Sequence, residues 1–193
     1  VAVRRQRQMC IRDRIYHDFS SSNPKGRNIA FGVREFPMGA IMNGIALYGC
    51  HFPFGGTFLV FSDYVRSAIR LSAIQKLHVM YEFTHDSIFV GEDGPTHQPV
   101  EHTMSLRNIP NLLVFRPADA LETFHCFKTI MKNKKNPSAI LLTRQKLPNL
   151  NISEDKIEEG VNKGAYILHE EDNPDAILFT SCLLYTSPSP RDQ

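Results

Sequence analysis

The sequence predicts an α/β domain built on a mostly parallel central sheet. Short apolar, β-prone runs alternate along the chain with longer segments whose apolar residues recur at helical spacing. One run, Ala139–Thr143, is continuously apolar, as strands of a parallel sheet often are. The residues of unusual chemistry gather directly after strand candidates, where ligands bind in such sheets. His85 and Asp86 follow Tyr81–Phe83, and Arg144 follows Ala139–Thr143.

The elements follow in order. Asp18–Gly26, with its serines, asparagine and proline, reads as a loop, and Asn28–Phe31 as a short strand. Glu35–Leu47 carries Met38, Ile41, Met42, Ile45 and Leu47 at helical spacing, with Pro37 in the first turn, where a missing N–H costs little. Its small residues Gly39, Ala40, Gly44 and Ala46 allow another element to approach closely. Pro53–Gly56 reads as a turn, Thr57–Phe61 as a strand and Tyr64–Lys76 as a helix. His78–Phe83 is the next strand. The glycines and prolines of Ser87–Pro99 break any regular structure. Val100–Leu106 suits a helix, Leu112–Phe115 a strand ended by Arg116-Pro117, and Asp119–Lys132 a helix with Leu121, Phe124, Phe127, Ile130 and Met131 on its apolar side. After Ala139–Thr143 a loop and turn cover Asn149–Asn162, and Ala165–Leu168 and Ala176–Phe179 read as two more strands.

A chain of 193 residues can bury one sizeable core, and 42% hydrophobic with 22% charged residues is ordinary for a globular domain. No apolar run approaches the roughly 20 residues of a membrane-spanning helix. The basic N-terminus lacks the apolar segment of a secretory signal. The four cysteines form no C-x-x-C pair, which points to a reducing, cytoplasmic setting, with a plastid also compatible. The net charge of +2 belongs to the ends: residues 1–14 hold five arginines and one aspartate, and residues 182–193 one arginine and one aspartate. Without them 16 basic and 18 acidic residues remain, a net of −2. Neither a nucleic-acid partner nor a membrane is expected.

The two ends share an odd relation. Cys182–Ser187 can be encoded by TGT CTC TTA TAC ACA TCT. The reverse complement of that string, with one base added on each side, encodes Gln-Met-Cys-Ile-Arg-Asp, the sequence of Gln8–Asp13. The string resembles the transposon mosaic end used in sequencing libraries. Residues 1–14 and 182–193 are therefore expected to be translated adaptor and disordered, and 15–181 to be the domain.

Several residues could carry chemistry, and each also has a plain reading on spacing alone. Glu35 begins a helix, where a carboxylate is favoured by the dipole, and reads as a capping or surface residue. Phe58, Phe61 and Tyr64 read as core packing, or as a flat surface for a heteroaromatic ring. The loop with Thr84-His85-Asp86-Ser87 and Gly91–Pro99, including Asp93 and His97, reads as a solvated loop or as a sugar site, because sugar hydroxyls need many placed donors and acceptors. It matches no common metal-ligand spacing, and no metal ligand is expected in this chain. Arg144 and Arg116 read as surface arginines or as phosphate grips. His78, His102, His125 and His169 stand alone.

Taken together and in order, Gly32–Phe36, Ala40–Ala46, Gly55–Leu59, Thr84–Ser87, Gly91–Pro99, Arg116–Asp119 and Ser138–Gln145 resemble the transketolases, over about Gly26 to Ser181. The string Gly91-Glu92-Asp93-Gly94-Pro95-Thr96-His97-Gln98-Pro99 is specific for transketolases proper. The resemblance implies the middle, pyrimidine-binding domain, a three-layer α-β-α fold of the thiamine-diphosphate type. It implies transfer of a two-carbon ketol unit between sugar phosphates in a homodimer, with this fragment inactive alone. Glu35 matches the glutamate that hydrogen-bonds N1′ of the cofactor aminopyrimidine. Phe58, Phe61 and Tyr64 match the aromatic pocket around that ring. His97, also assigned a catalytic part, and Asp93 match residues that bind sugar hydroxyls, and His85 and Arg144 those that bind the terminal phosphate. A divalent ion, Mg or Ca, is expected with the diphosphate-binding domain, whose Gly-Asp-Gly … Asn pattern is absent here. Pro37 departs from the family pattern beside Glu35. The alternatives are another thiamine-diphosphate ketol transferase of the dihydroxyacetone-synthase kind, and a non-catalytic stand-alone domain that binds a partner.

Overall fold

Four parallel strands form one sheet in the order β1-β2-β4-β3, with β1 Phe54–Phe58, β2 Met80–Asp86, β3 Leu113–Phe115 and β4 Ser138–Thr143. The computed structural model describes residues 18–87, 90 and 93–182. The segments expected to be adaptor lie outside the described residues except for Cys182, which is buried. Of the 87–99 loop, residues 88, 89, 91 and 92 also lie outside them.

Parallel neighbours need crossover connections, and the helices supply them. They are α1 Glu35–Tyr48, α2 Ser62–Ile74, α3 His102–Arg107, α4 Ala120–Lys132 and α5 Glu154–Lys163. Side-chain alternation along the strands divides the core between two faces. Tyr81, Phe83, Ala139 and Leu141 join Met38, Met42, Val65, Ile69 and Leu106 from α1, α2 and α3. Met80 and Ile140 join Cys126, Ile130, Ile157 and Val161 from α4 and α5. The architecture is therefore the three-layer α-β-α sandwich expected. Each fully buried Ile, Leu or Phe contributes about 1.5–3 kcal/mol to holding the layers together.

The departures from expectation have local causes. Strand β1 starts at Phe54, inside the expected turn, and ends at Phe58, where Leu59–Phe61 turn into a single 3-10 coil. Gly55 belongs to the strand because α1 lies directly on it: a Cβ there would sit 2.5 Å from the Met42 sulfur. Pro37 does not delay α1, which begins at Glu35. The expected strand Asn28–Phe31 is reduced to an isolated bridge between Asp18 and Asn28. Residues 149–162, expected as a loop, contain α5. Ser153 stands at its N-cap position, Glu154 and Asp155 fill the first turn, and Gly164 closes it in the left-handed conformation. Ile157, Gly160 and Val161 bury one face of that helix. The expected strands Ala165–Leu168 and Ala176–Phe179 do not form. Ile177, Leu178 and Phe179 are exposed, and among the described residues no strand pairs with them. No described helix is long and apolar enough to cross a membrane.

Candidate functional site

The carboxyl edge of the sheet gathers the aromatic residues singled out in the sequence. Phe58 ends β1, Phe61 closes the 3-10 turn, and Tyr64 sits in the first turn of α2. Their rings form a stepped series. Phe58 and Phe61 lie 6.0 Å apart at 13°, and Phe61 and Tyr64 5.9 Å apart at 27°. His85, near the end of β2, extends the series by stacking on Phe58 at 3.6 Å and 18°. His97, in the short 3-10 turn Pro95–His97, meets it edge-on, 6.3 Å from Phe58 and 5.5 Å from Phe61. Phe58 is buried, Phe61 half-buried and Tyr64 exposed, so the series opens from core to surface.

Each histidine is oriented by the hydroxyl before it. Thr84 Oγ1 lies 3.0 Å from His85 Nδ1, and Thr96 Oγ1 lies 2.9 Å from His97 Nδ1. Burial lowers the His85 pKa below its usual 6.5, because the imidazolium loses hydration. The Asp93 carboxylate opposes that shift, while the positive charges of Arg144 and His97 add to it. These fields place His97, Asp93 and Arg144 around His85. Arg144 is the first residue after β4 and is exposed.

Glu35 reaches the same edge by another route. Gly39 packs on Val65 and Ala68, and one turn later Asn43 Nδ2 donates to the Ala68 carbonyl at 2.8 Å. Successive turns of α1 thus meet successive turns of α2, and the two helices run parallel. Their first turns, with Glu35 and Ser62, lie at one end. The Glu35 side chain is largely buried, but its carboxylate oxygens keep some access to solvent, and among the described residues nothing donates to them. A carboxylate left open at such an edge can accept from a donor that a ligand supplies. The residues present fit an aminopyrimidine: an accessible carboxylate on a largely buried side chain for a ring nitrogen, and aromatic faces for the ring.

Other groupings depend on long-range contacts that spacing does not reveal. Arg116 is no phosphate grip in this structure: it forks onto Asp86, with Nε to Oδ2 at 2.5 Å and Nη2 to Oδ1 at 3.2 Å. His102 is not isolated but bonds Asp63 at 3.2 Å, close to Glu101, and these three form the one His/acid group among the described residues compact enough for a metal ion. His125 lies 3.3 Å from Glu154. An open hollow of about 450 Å³, lined by Lys76, Asn111, Lys134, Lys135 and Asn136, lies at the opposite, amino edge of the sheet.

Residues 8–149 match the family described as transketolase, pyrimidine binding domain. A transketolase of Staphylococcus aureus is 51% identical over 165 residues, 85% of this chain and 25% of the relative. A transketolase of Bacillus subtilis is 52% identical over 166 residues, with 85% and 25% covered. Among solved structures, a Pichia stipitis transketolase in complex with sedoheptulose-7-phosphate superposes with a TM-score of 0.76 at 43% identity, over 83% of this chain and 24% of that one. The chain spans about a quarter of the length of these relatives.

Proposed function

The chain belongs to the transketolase family through its pyrimidine-binding domain, and on that premise we propose that residues 15–181 are the corresponding part of an enzyme moving two-carbon ketol units from a ketose phosphate to an aldose phosphate. The observation that carries this reading is the largely buried Glu35 side chain, its carboxylate open at the edge where the aromatic series begins. When bound, thiamine diphosphate supplies the nucleophilic carbon that accepts the two-carbon unit. Glu35 holds a proton between its carboxyl and N1′ of the aminopyrimidine. Phe61, flanked by Phe58 and Tyr64, offers the ring a stacking face and excludes water from it. His97 and Asp93 hydrogen-bond the sugar hydroxyls, His97 on the catalytic side. His85 and Arg144 hold the terminal phosphate, the guanidinium by two parallel bonds.

A divalent ion, Mg or Ca, belongs with the diphosphate-binding domain rather than with this segment. The working unit is read as a cytoplasmic homodimer. The relatives described above are transketolases at about half identity, and neither a dihydroxyacetone-synthase-like enzyme nor a non-catalytic domain is favoured. Glu35→Gln in the complete enzyme tests the reading. The near-isosteric amide should retain thiamine diphosphate in calorimetric titration while ketol transfer falls by about 10²–10⁴-fold, the scale of a lost proton relay. Turnover near that of the unaltered enzyme would overturn the role.

A further inference from the structure

We propose that the Asp86–Arg116 ion pair is a positioning device for His85, holding its backbone in a conformation that it would otherwise leave. The inference rests on the reading of His85 as a phosphate contact. Three observations converge. His85 has φ 58° and Ser87 φ 107°, so the non-glycine residues on either side of Asp86 both lie at positive φ. Such conformations persist only where their surroundings over-determine them. The β2–β4 register also shifts between Phe83 and Asp86 and resumes at the Asp86–Thr143 pair, so the ladder leaves His85 itself without a partner on β4.

What holds it is the side chain between the two strained residues. Asp86 is 2% exposed and receives both arms of the Arg116 fork from the loop after β3; Arg116 Nη1 also donates to Ser181 Oγ at 3.0 Å. A planar guanidinium fixes a carboxylate in direction as well as distance, which a lysine ammonium cannot do. The pair lies on the next residue from His85 and turns its ring onto Phe58 at 3.6 Å. Arg116 thus acts through His85.

The test uses Arg116→Lys in the complete enzyme, which keeps the charge and loses the fork. The expected result is a KM for an aldose phosphate raised about tenfold, with kcat and the KM for the matching unphosphorylated aldose within about twofold. A crystal structure of the variant should show His85 at negative φ and off Phe58. Unchanged kinetics with the stack retained would overturn the proposal, and so would equal rises in both KM values with His85 in place. His85→Ala in parallel separates this from failure of the phosphate reading. If His85→Ala affects both sugars alike, the phosphate role is wrong, and the His85 conformation in Arg116→Lys alone decides the positioning role. Should Arg116→Lys not fold, Asp86→Asn, which keeps one acceptor oxygen, carries the same comparison with the same outcomes.

Discussion

His85 illustrates how a residue acquires its chemistry from position. Its ring is buried against Phe58, which disfavours the charged form, while Asp93 favours it and Arg144 and His97 do not. The net effect lowers its pKa, so the free ring holds a proton less readily than an ordinary imidazole. On the proposed reading, a phosphate dianion beside it favours the imidazolium, which raises the pKa in the complex and makes binding take up a proton. Between the two values affinity falls as pH rises, because the free ring has already lost the proton that the complex needs. The KM for sugar phosphates should therefore climb as pH rises through the lowered free value toward that of the complex, in the unaltered enzyme relative to His85→Gln, which lacks this component. Parallel profiles for the two proteins would show that His85 does not titrate on binding.

At the scale of elements, α1 is the part whose placement matters most, because Glu35 is its first residue. No side chain caps its N-terminus, and its register depends on contacts further along. Gly39 allows backbone approach: a Cβ there would come 2.6 Å from Val65 Cγ2 and 2.8 Å from Ala68 Cβ. Tyr81 from β2 donates to Asn43 Oδ1 and to Ser72 Oγ, each at 3.1 Å, and burial pushes its phenol up to about 12. One hydroxyl thus ties α1, α2 and β2 together beneath the site. Tyr81→Phe leaves buried acceptors short of a donor and should cost about 1–3 kcal/mol in urea unfolding of the complete enzyme. A loss under about 0.3 kcal/mol would mean that the network is not holding the helices. The missed helix α5 belongs to this scale too. Its signals were present in Ser153, in Glu154 and Asp155, and in Ile157, Gly160 and Val161 at helical spacing. They were outweighed by a polar composition that reads as loop until the exposed face is seen to be solvated.

At the scale of the molecule, α1 is apolar almost all round. Met38 and Met42 face the core, while Phe36, Ile41, Leu47 and Tyr48 are exposed. A helix apolar on every side is usually covered on every side, in keeping with a second copy packing there in the proposed homodimer. Paired substitutions Ile41→Glu and Leu47→Glu in the complete enzyme should convert the dimer to monomer in sedimentation velocity and weaken cofactor retention. A stable dimer with unchanged cofactor binding would place the subunit interface elsewhere.

The sequence alone determined the fold class, because the alternation of β-prone and helix-period runs is a local property that parallel topology requires. It also singled out the candidate site residues, since Glu35, Phe58, Phe61, Tyr64, His85, Asp93, His97 and Arg144 stand in recognisable strings. Tertiary structure decided how they are held. Arg116 and Asp86 are thirty residues apart in the chain and meet as a fork, Tyr81 reaches Asn43 and Ser72 from another layer, and His85 takes a backbone conformation that histidine rarely adopts. These depend on which strands lie side by side, and the order β1-β2-β4-β3 is written in no single stretch of chain. The physical reason is that periodicity reports which face a residue buries, whereas a long-range partner is set by how whole elements pack.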